Sequence, residues 1–155
     1  RIMHSAPCDG GDESEEAMKL SPTQAKVVKK KRRKPTPLNA RTLQWFKARG
    51  WPAQVVEHWI PQTHIRRDLF GFIDIVAMDP NTGRLVGVQV TSGEGGNLRA
   101  RLRKAQAIPF FTLWQQANDV EFHGWAKRGA RGKRKVWTLR RLDGNGNELA
   151  PENTH

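Results

Sequence analysis

Several patterns that define common protein classes are missing from this sequence. Its 155 residues include one cysteine, Cys8, which excludes an internal disulfide and a zinc site built on several cysteines. No apolar run approaches the roughly 20 residues that a membrane-spanning helix requires. The opening residues, RIMHSAPCDGGDESEE, lack the apolar stretch of a signal peptide. These absences predict a protein of the reducing cytoplasm that has no membrane partner.

Negative charge is also scarce relative to positive charge. The formal net charge is +12 and the isoelectric point is about 10.7. One run, KKKRRK, supplies six of the positive charges, yet residues 35–155 still hold 18 Lys and Arg against 10 Asp and Glu. A body with a balance of +8 is typical of proteins that bind a polyanion. We therefore expect nucleic acid as the partner, with a merely solubilising surface as the alternative.

Composition divides the chain into three parts. Residues 1–37 run from an acidic block to the basic run and predict a disordered arm. Met18 opens MKLSPTQAKVV and is a candidate start, which would make residues 1–17 a tag or upstream translation. Residues 38–143 carry the apolar periodicity of one folded domain, and residues 144–155, GNGNELAPENTH, predict a flexible tail.

The folded part reads as alternating helices and strands. A first helix is predicted in LNARTLQWFKARG, with Asn39 as its N-cap and Gly50 as its stop. Two later helices are predicted in NLRARLRKAQA and PFFTLWQQAN. Strands are predicted in AQVVEHWIP, LFGFIDIVAM, RLVGVQVTS, DVEFHGWAKR and KVWTLRRLD, whereas QTHIRRD and GARGKR are read as polar loops. The order predicts a mixed α/β domain with a central sheet and helices packed on it.

Polar residues interrupt two of these apolar strands. Asp74 lies in the first strand of a hairpin that turns at DPNTG, and Gln89 and Thr91 lie two apart on the second. Residues two apart share one face of a strand, and hairpin pairing can bring the carboxylate of Asp74 near Gln89. A carboxylate, a second oxygen ligand and a nearby cation suit metal-dependent cleavage of a phosphodiester. The alternative is an ordinary solvated strand face.

This order of elements, with ID on one strand and a polar-x-polar triplet on the next, resembles the PD-(D/E)XK nuclease superfamily. Within it the chain is similar to Holliday-junction resolvase-like proteins, including small phage-encoded ones. The resemblance covers roughly Leu38–Asp143. It implies a restriction-endonuclease-like αβββαβ core with a central mixed sheet flanked by helices. It also implies a Mg²⁺- or Mn²⁺-dependent endonuclease for branched DNA such as four-way junctions. A homodimer without a small-molecule cofactor is expected, in the host cytoplasm if the chain is phage-encoded.

The family's residues carry over one by one. GFID supplies Asp74, and QVT stands in the place of Glu-x-Lys, which assigns catalytic roles to Asp74, Gln89 and Thr91. The first helix has no acid, so Glu57 on the next strand is the candidate for the remaining carboxylate. The implied metal ligands are Asp74, Gln89, the backbone carbonyl of Val90, and Glu57.

Two departures from the family pattern matter. Gln89 is neutral, so the site has one negative charge fewer. The hydroxyl of Thr91 cannot replace an ammonium beside the phosphate, so a cation from the following helix would have to do so. Arg99, Arg101 and Lys104 are the candidates. Asp68 is expected to pair with a neighbouring arginine, Arg66 or Arg67.

Exposed basic residues are expected to contact phosphates. The predicted nucleic-acid-binding residues are Arg66, Arg67, Arg99, Arg101, Arg103, Lys104, Arg131, Lys133 and Arg134. Six tryptophans could stack on bases, although most tryptophans in so small a domain belong to its core. Two other functions stay open: an inactive nucleic-acid-binding protein on the same fold, and a basic structural or assembly protein.

Overall fold

The structure is a computed structural model that describes residues 36–151. Contacts divide the chain into two units, Arg1–Arg33 and Lys34–His155, and everything that follows concerns the second. Apart from its last two residues, the predicted arm 1–37 lies outside the described residues, as do the last four residues of the predicted tail.

A five-stranded mixed sheet forms the centre of the domain, and three helices pack on it. The helices are α1 (Leu38–Ala48), α2 (Asn97–Gln106) and α3 (Pro109–Gln115). The strands are β1 (Ala53–Val55), β2 (His58–Ile60), β3 (Ile65–Arg67), β4 (Ile75–Met78), β5 (Leu85–Ser92), β6 (Asp119–Arg128) and β7 (Val136–Asp143). The central sheet has the order β1-β4-β5-β6-β7, in which only β5 and β6 are parallel. The predicted mixed α and β architecture is confirmed.

Each face of the sheet carries its own apolar core. On one face, Trp45 and Phe46 of α1 pack with Ile75 and Val88. On the other face, α2 and α3 pack against β6 through residues such as Phe122. Strand β5 contributes Val86 and Val88 to the first core, whereas β6 contributes Val120 and Phe122 to the second; successive side chains of a strand point to opposite faces. A parallel pair needs a long crossover, and α2 and α3 form the one between β5 and β6.

The predicted first strand is split in the structure. AQVVEHWIP forms β1 and β2, which belong to different sheets, and the predicted loop QTHIRRD supplies β3 as the partner of β2. The split falls at Val56 and Glu57, whose amides both donate to the backbone oxygen of Asp74, at 2.9 and 3.3 Å. These bonds end the ladder of β1, and β2 and β3 then form a separate two-stranded sheet.

The strand predicted in LFGFIDIVAM is also shorter than expected. Only Ile75–Met78 is strand, because Leu69 and Ile73 form an isolated antiparallel bridge. Phe70 and Gly71 turn the chain there with positive φ values of 55° and 84°. A left-handed conformation is ordinary for glycine and unusual for a bulky residue. Asp74 therefore lies directly before β4 and not in the middle of a strand.

The ends of the domain differ in part from expectation. Gly50 follows α1 at φ 72° and serves as the predicted stop. Pro37, rather than Asn39, occupies the N-cap. The described part of the predicted flexible tail turns back, and Glu148 forms a β-bridge with Leu142. Between residues 36 and 151, no helix combines the length and apolarity needed to cross a membrane.

Close packing at Gly87 generates a test of the fold. A Cβ placed there would lie 2.8 Å from Cδ1 of Ile73 and 3.2 Å from Cε2 of Trp114. We expect Gly87→Ala to lower the free energy of unfolding by about 1–3 kcal/mol through overpacking, measured by urea denaturation. The matched control is Gly96→Ala, which meets no atom within 4 Å and should cost only the preference of the α2 N-cap for glycine over alanine, which is less than the cost of overpacking at Gly87. Equal effects of the two changes would contradict this packing.

Candidate active site

The hairpin of β4 and β5 brings Asp74 to Gln89. The backbone N–H of Asp74 donates to the carbonyl of Val88 at 2.9 Å, which fixes Asp74 beside β5. Its side-chain Oδ2 accepts two hydrogen bonds of 2.8 Å, one from Nε2 of Gln89 and one from the backbone N–H of Val90. The predicted approach of Asp74 and Gln89 is confirmed. The role of Gln89 differs from the expected one of a metal ligand beside Asp74, since its side-chain nitrogen donates a hydrogen bond to the carboxylate.

Asp68 joins Asp74 through the short turn between them. The bridge of Leu69 to Ile73 closes this turn with hydrogen bonds of 2.8 and 3.1 Å. Since paired residues lie opposite each other, the flanking residues Asp68 and Asp74 become neighbours. Oxygen atoms of Asp68, Asp74 and Glu57 all lie within 4.8 Å of one another. The expected pairing of Asp68 with Arg66 or Arg67 is corrected, because no hydrogen bond or ion pair joins them among the described residues and Arg66 bonds to Glu57 instead.

Glu57 completes this carboxylate cluster. Its backbone N–H bonds to the Asp74 oxygen, as described above, so the position of Glu57 follows from that of Asp74. Its Oε2 accepts hydrogen bonds from Nδ2 of Asn39 and from Nη1 of Arg66, both at 3.2 Å. Asn39, predicted to cap α1, instead orients Glu57. Glu57 thus lies beside Asp74, and its role as a metal ligand stays a prediction.

The carboxylates line a small open pocket of about 260 Å³. The start of α1, the β2–β3 hairpin, β5 and α2 all contribute to its wall, through Pro37, Leu38, Asn39, Glu57, Arg66, Asp68, Asp74, Gln89, Val90 and Arg101. Arg101 is one of the three cations expected from the following helix. Thr91 shares the strand face of Gln89 but is not part of this lining, and neither are Arg99 and Lys104.

Burial dominates the electrostatics of Asp74. Only 5% of the residue is exposed, and loss of water disfavours its ionised form. The hydrogen bond from Val90 favours ionisation, whereas the nearby charge of Asp68 opposes it. Together these effects raise the pKa of Asp74 from 3.8 to about 7. The site therefore holds a carboxyl group that gains and loses its proton near neutral pH.

The predicted phosphate-binding residues are all exposed. Arg66 and Arg101 line the pocket, and the other seven do not. Arg67 lies on β3, and Arg99, Arg103 and Lys104 lie on α2. Arg131, Lys133 and Arg134 lie in the loop between β6 and β7.

Sequence reasoning missed Asp68 as a member of the site. The available signal was the pair of aspartates that flank LFGFI, because the glycine in this segment permits a tight turn that would place them side by side. Comparisons of the chain with protein-family models, curated proteins and solved structures give no match. The assignment of function therefore depends on the chemistry of the pocket.

The raised pKa of Asp74 has a consequence for stability. Between about pH 4 and pH 7 the native state holds a proton that the unfolded state, with a pKa near 3.8, has lost. The free energy of unfolding should therefore fall by a few kcal/mol as the pH rises through this window. Asp74→Asn keeps a hydrogen-bond acceptor without the charge, so we expect this variant to be more stable than the wild type at pH 8 in metal-free buffer.

Chemical denaturation at a series of pH values measures this effect. Asp119→Asn is the matched control, since it also replaces a carboxylate by an amide, but at an exposed residue that pairs with Arg84. It should keep the pH dependence of the wild type. An unchanged pH dependence in Asp74→Asn would contradict the raised pKa.

Proposed function

We propose that this protein is a metal-dependent DNA endonuclease that hydrolyses phosphodiester bonds. The observation that carries the proposal is the convergence of three carboxyl groups and two arginines in one open pocket. The carboxylates suit a divalent cation, and the arginines suit a phosphate. The positive balance of residues 35–155 supports a polyanionic substrate.

The donor set fits a hard divalent cation. Glu57, Asp68 and Asp74 offer oxygen atoms within 4.8 Å of one another, and oxygen ligands are those that Mg²⁺ and Mn²⁺ prefer. A cation bound there would neutralise charge on the phosphate and acidify a water molecule. Gln89 would act mainly as the donor that orients Asp74, since its Nε2 faces Oδ2. The ligand set differs here from the one that the resemblance implies, with Asp68 added.

Asp74, Glu57 and Arg101 would have different roles in the reaction. Asp74 must lose its proton before it can bind a cation, and with a pKa of about 7 it does so in the neutral range. Glu57 is oriented by Asn39 and Arg66. Arg101 reaches the pocket from α2 and would stabilise the negative charge that grows on the phosphate in the transition state. Arg101 thus takes the role of the ammonium that Thr91 cannot supply.

The order of elements around the central sheet supports a restriction-endonuclease-like core as the finer description of the fold. The chain contains the αβββαβ series in α1, β1, β4, β5, the helices α2 and α3, and β6. Strands β2 and β3 are inserted between β1 and β4. On this reading the substrate is branched DNA. Symmetric cleavage of a four-way junction would require two sites and hence two copies of the chain.

A second candidate function is DNA binding without cleavage on the same fold. Gln89 favours it, because its amide satisfies the buried carboxylate of Asp74 without any cation. The absence of Thr91 from the pocket lining favours it as well. A third candidate, a basic assembly protein, would bind nucleic acid through the run KKKRRK alone.

Cleavage assays on four-way junctions and linear duplexes, with Mg²⁺ and with Mn²⁺, separate these candidates. We expect Asp74→Ala to abolish cleavage while DNA binding stays equal or becomes slightly tighter, because a negative charge near the phosphate is removed. The control variant Asp119→Asn should cleave normally. Cleavage by Asp74→Ala would rule out the proposed site. Metal-independent binding with no cleavage by the wild type would favour the second candidate.

Arg101 generates a separate prediction. Arg101→Ala should reduce the cleavage rate far more than it reduces DNA affinity, because its charge acts mainly on the transition state. Lys104→Ala is the matched control, since Lys104 lies on the same helix, is exposed and does not line the pocket. Single-turnover rates and binding constants should be measured for both variants. Equal losses of rate in the two would contradict the role of Arg101.

The exposed face of α2 can be tested through salt dependence. Each phosphate contact contributes close to one unit to the slope of log affinity against log salt for duplex DNA. Replacing Arg99 and Arg103 together with alanine should flatten this slope by up to about two units, with the arm present in both proteins. Replacing Arg131 and Lys133 together with alanine tests in the same way whether the β6–β7 loop contributes to the slope. An unchanged slope in either variant would remove that segment from the interface.

A further inference from the structure

A second concave surface lies between α1 and β7. It encloses about 670 Å³, against about 260 Å³ for the carboxylate pocket. Its wall includes three tryptophans and several arginines, of which the following carry the argument: Arg41, Trp45, Trp125, Arg128, Trp137 and Arg140. We call it the tryptophan–arginine groove. None of these residues belongs to the carboxylate pocket.

The charge of this groove is positive. Four arginines contribute to its lining, and Glu148 is the one acidic residue there among the described residues. Glu148 pairs with Arg140, and Glu121 pairs with Arg141 from outside the lining, so the positive charge of the groove comes from Arg41 and Arg128. An occupant that complements this wall must carry negative charge at more than one point.

The tryptophans hold cations in stacking positions. Cζ of Arg41 lies 4.1 Å from the ring centroid of Trp137, and Nζ of Lys127 lies 5.3 Å from the same centroid. Nε of Arg41 is buried and has no hydrogen-bond partner among the described residues. The indole of Trp137, rather than an acidic partner, therefore positions this guanidinium. Planar guanidinium and indole groups are the surfaces on which unpaired bases stack.

Helix α1 connects the groove to the carboxylate pocket. Asn39 lines the pocket and bonds to Glu57, whereas Arg41, two residues later, lines the groove. Two residues correspond to about 3 Å along a helix axis but to about 200° around it, so Asn39 and Arg41 project from different sides of α1. The groove and the carboxylate pocket are therefore two separate surfaces that share this helix.

We propose that the tryptophan–arginine groove binds an unpaired DNA strand. Phosphates would contact the arginines, and bases would stack with Arg41 and Trp137. In a duplex, the faces of each base are covered by the neighbouring base pairs and cannot stack on a protein. This surface therefore selects substrates with a single-stranded part. The inference rests on the proposed function in taking DNA as the ligand, and it adds the structural class of the substrate.

The test compares two probes of equal charge without divalent metal, so that no cleavage occurs. One probe is fluorescein-labelled dT20, and the other is a labelled abasic 20-mer with the same phosphates and no bases. Fluorescence anisotropy with the full-length protein should show that dT20 binds at least about fivefold more tightly. The basic arm contributes equally to both affinities, so their ratio reports stacking.

Variants assign this ratio to the groove. Trp137→Ala should reduce it to about one, and Arg41→Gln should reduce it as well, with less risk to folding. Arg84→Ala is the matched control, since Arg84 lies outside the groove in an ion pair with Asp119, and the ratio should persist. Equal affinities for the two probes in the wild type would overturn the proposal. The proposal would also be overturned if Arg41→Gln and Trp137→Ala both fold and both keep the ratio of the wild type.

The outcome is separable from that of the nuclease proposal. A base-dependent ratio that requires Arg41 and Trp137 supports the groove even if no metal-dependent cleavage is found. If cleavage depends on metal and on Asp74 but the two probes bind with equal affinity, the groove proposal is overturned and the nuclease proposal stands.

Discussion

The buried carboxyl group of Asp74 is the constraint around which the site is arranged. Its side chain accepts hydrogen bonds from Gln89 and from the backbone of Val90. Its backbone oxygen accepts the amides of Val56 and Glu57. A buried carboxyl group needs such partners, because an unsatisfied one is costly. The same bonds end β1, fix the start of β4 beside β5 and place Glu57, so the local fold and the site have one origin.

This arrangement is not one that stability alone would favour. Three carboxyl groups lie within 4.8 Å of one another, and burial together with Asp68 raises the pKa of Asp74. Nearby, Phe70 adopts a left-handed conformation, which is unfavourable for a bulky residue. Perturbed pKa values and backbone strain concentrate at functional sites. Their coincidence in one turn supports a function for this pocket, and a bound cation would relieve the repulsion.

The sequence predicted those parts of the fold in which local pattern and tertiary structure agree. Strand β5, helices α2 and α3, and the hairpin of β6 and β7 have strong periodicity, and the turn at DPNTG fixes the pairing of β4 with β5. That pairing was sufficient to predict that Asp74 approaches Gln89. The division of AQVVEHWIP between two sheets was not predictable from periodicity, because it results from hydrogen bonds to Asp74, which is distant in sequence. Asp68 was missed although its signal was present, because the apolar run LFGFIDIVAM favoured one continuous strand over the turn that Gly71 permits. The tryptophan–arginine groove likewise depends on residues of α1 and β7 that meet only in the folded chain.

The most direct test of the account is whether the three carboxylates bind one divalent cation. Calorimetric titration of the full-length protein with Mn²⁺ at pH 8 should show one site per chain. Asp68→Asn should weaken this site markedly, because Asp68 is the ligand that the fold adds to the others. Asp119→Asn should leave it unchanged. Absence of a saturable site in the wild type, or equal affinity in Asp68→Asn, would contradict the account.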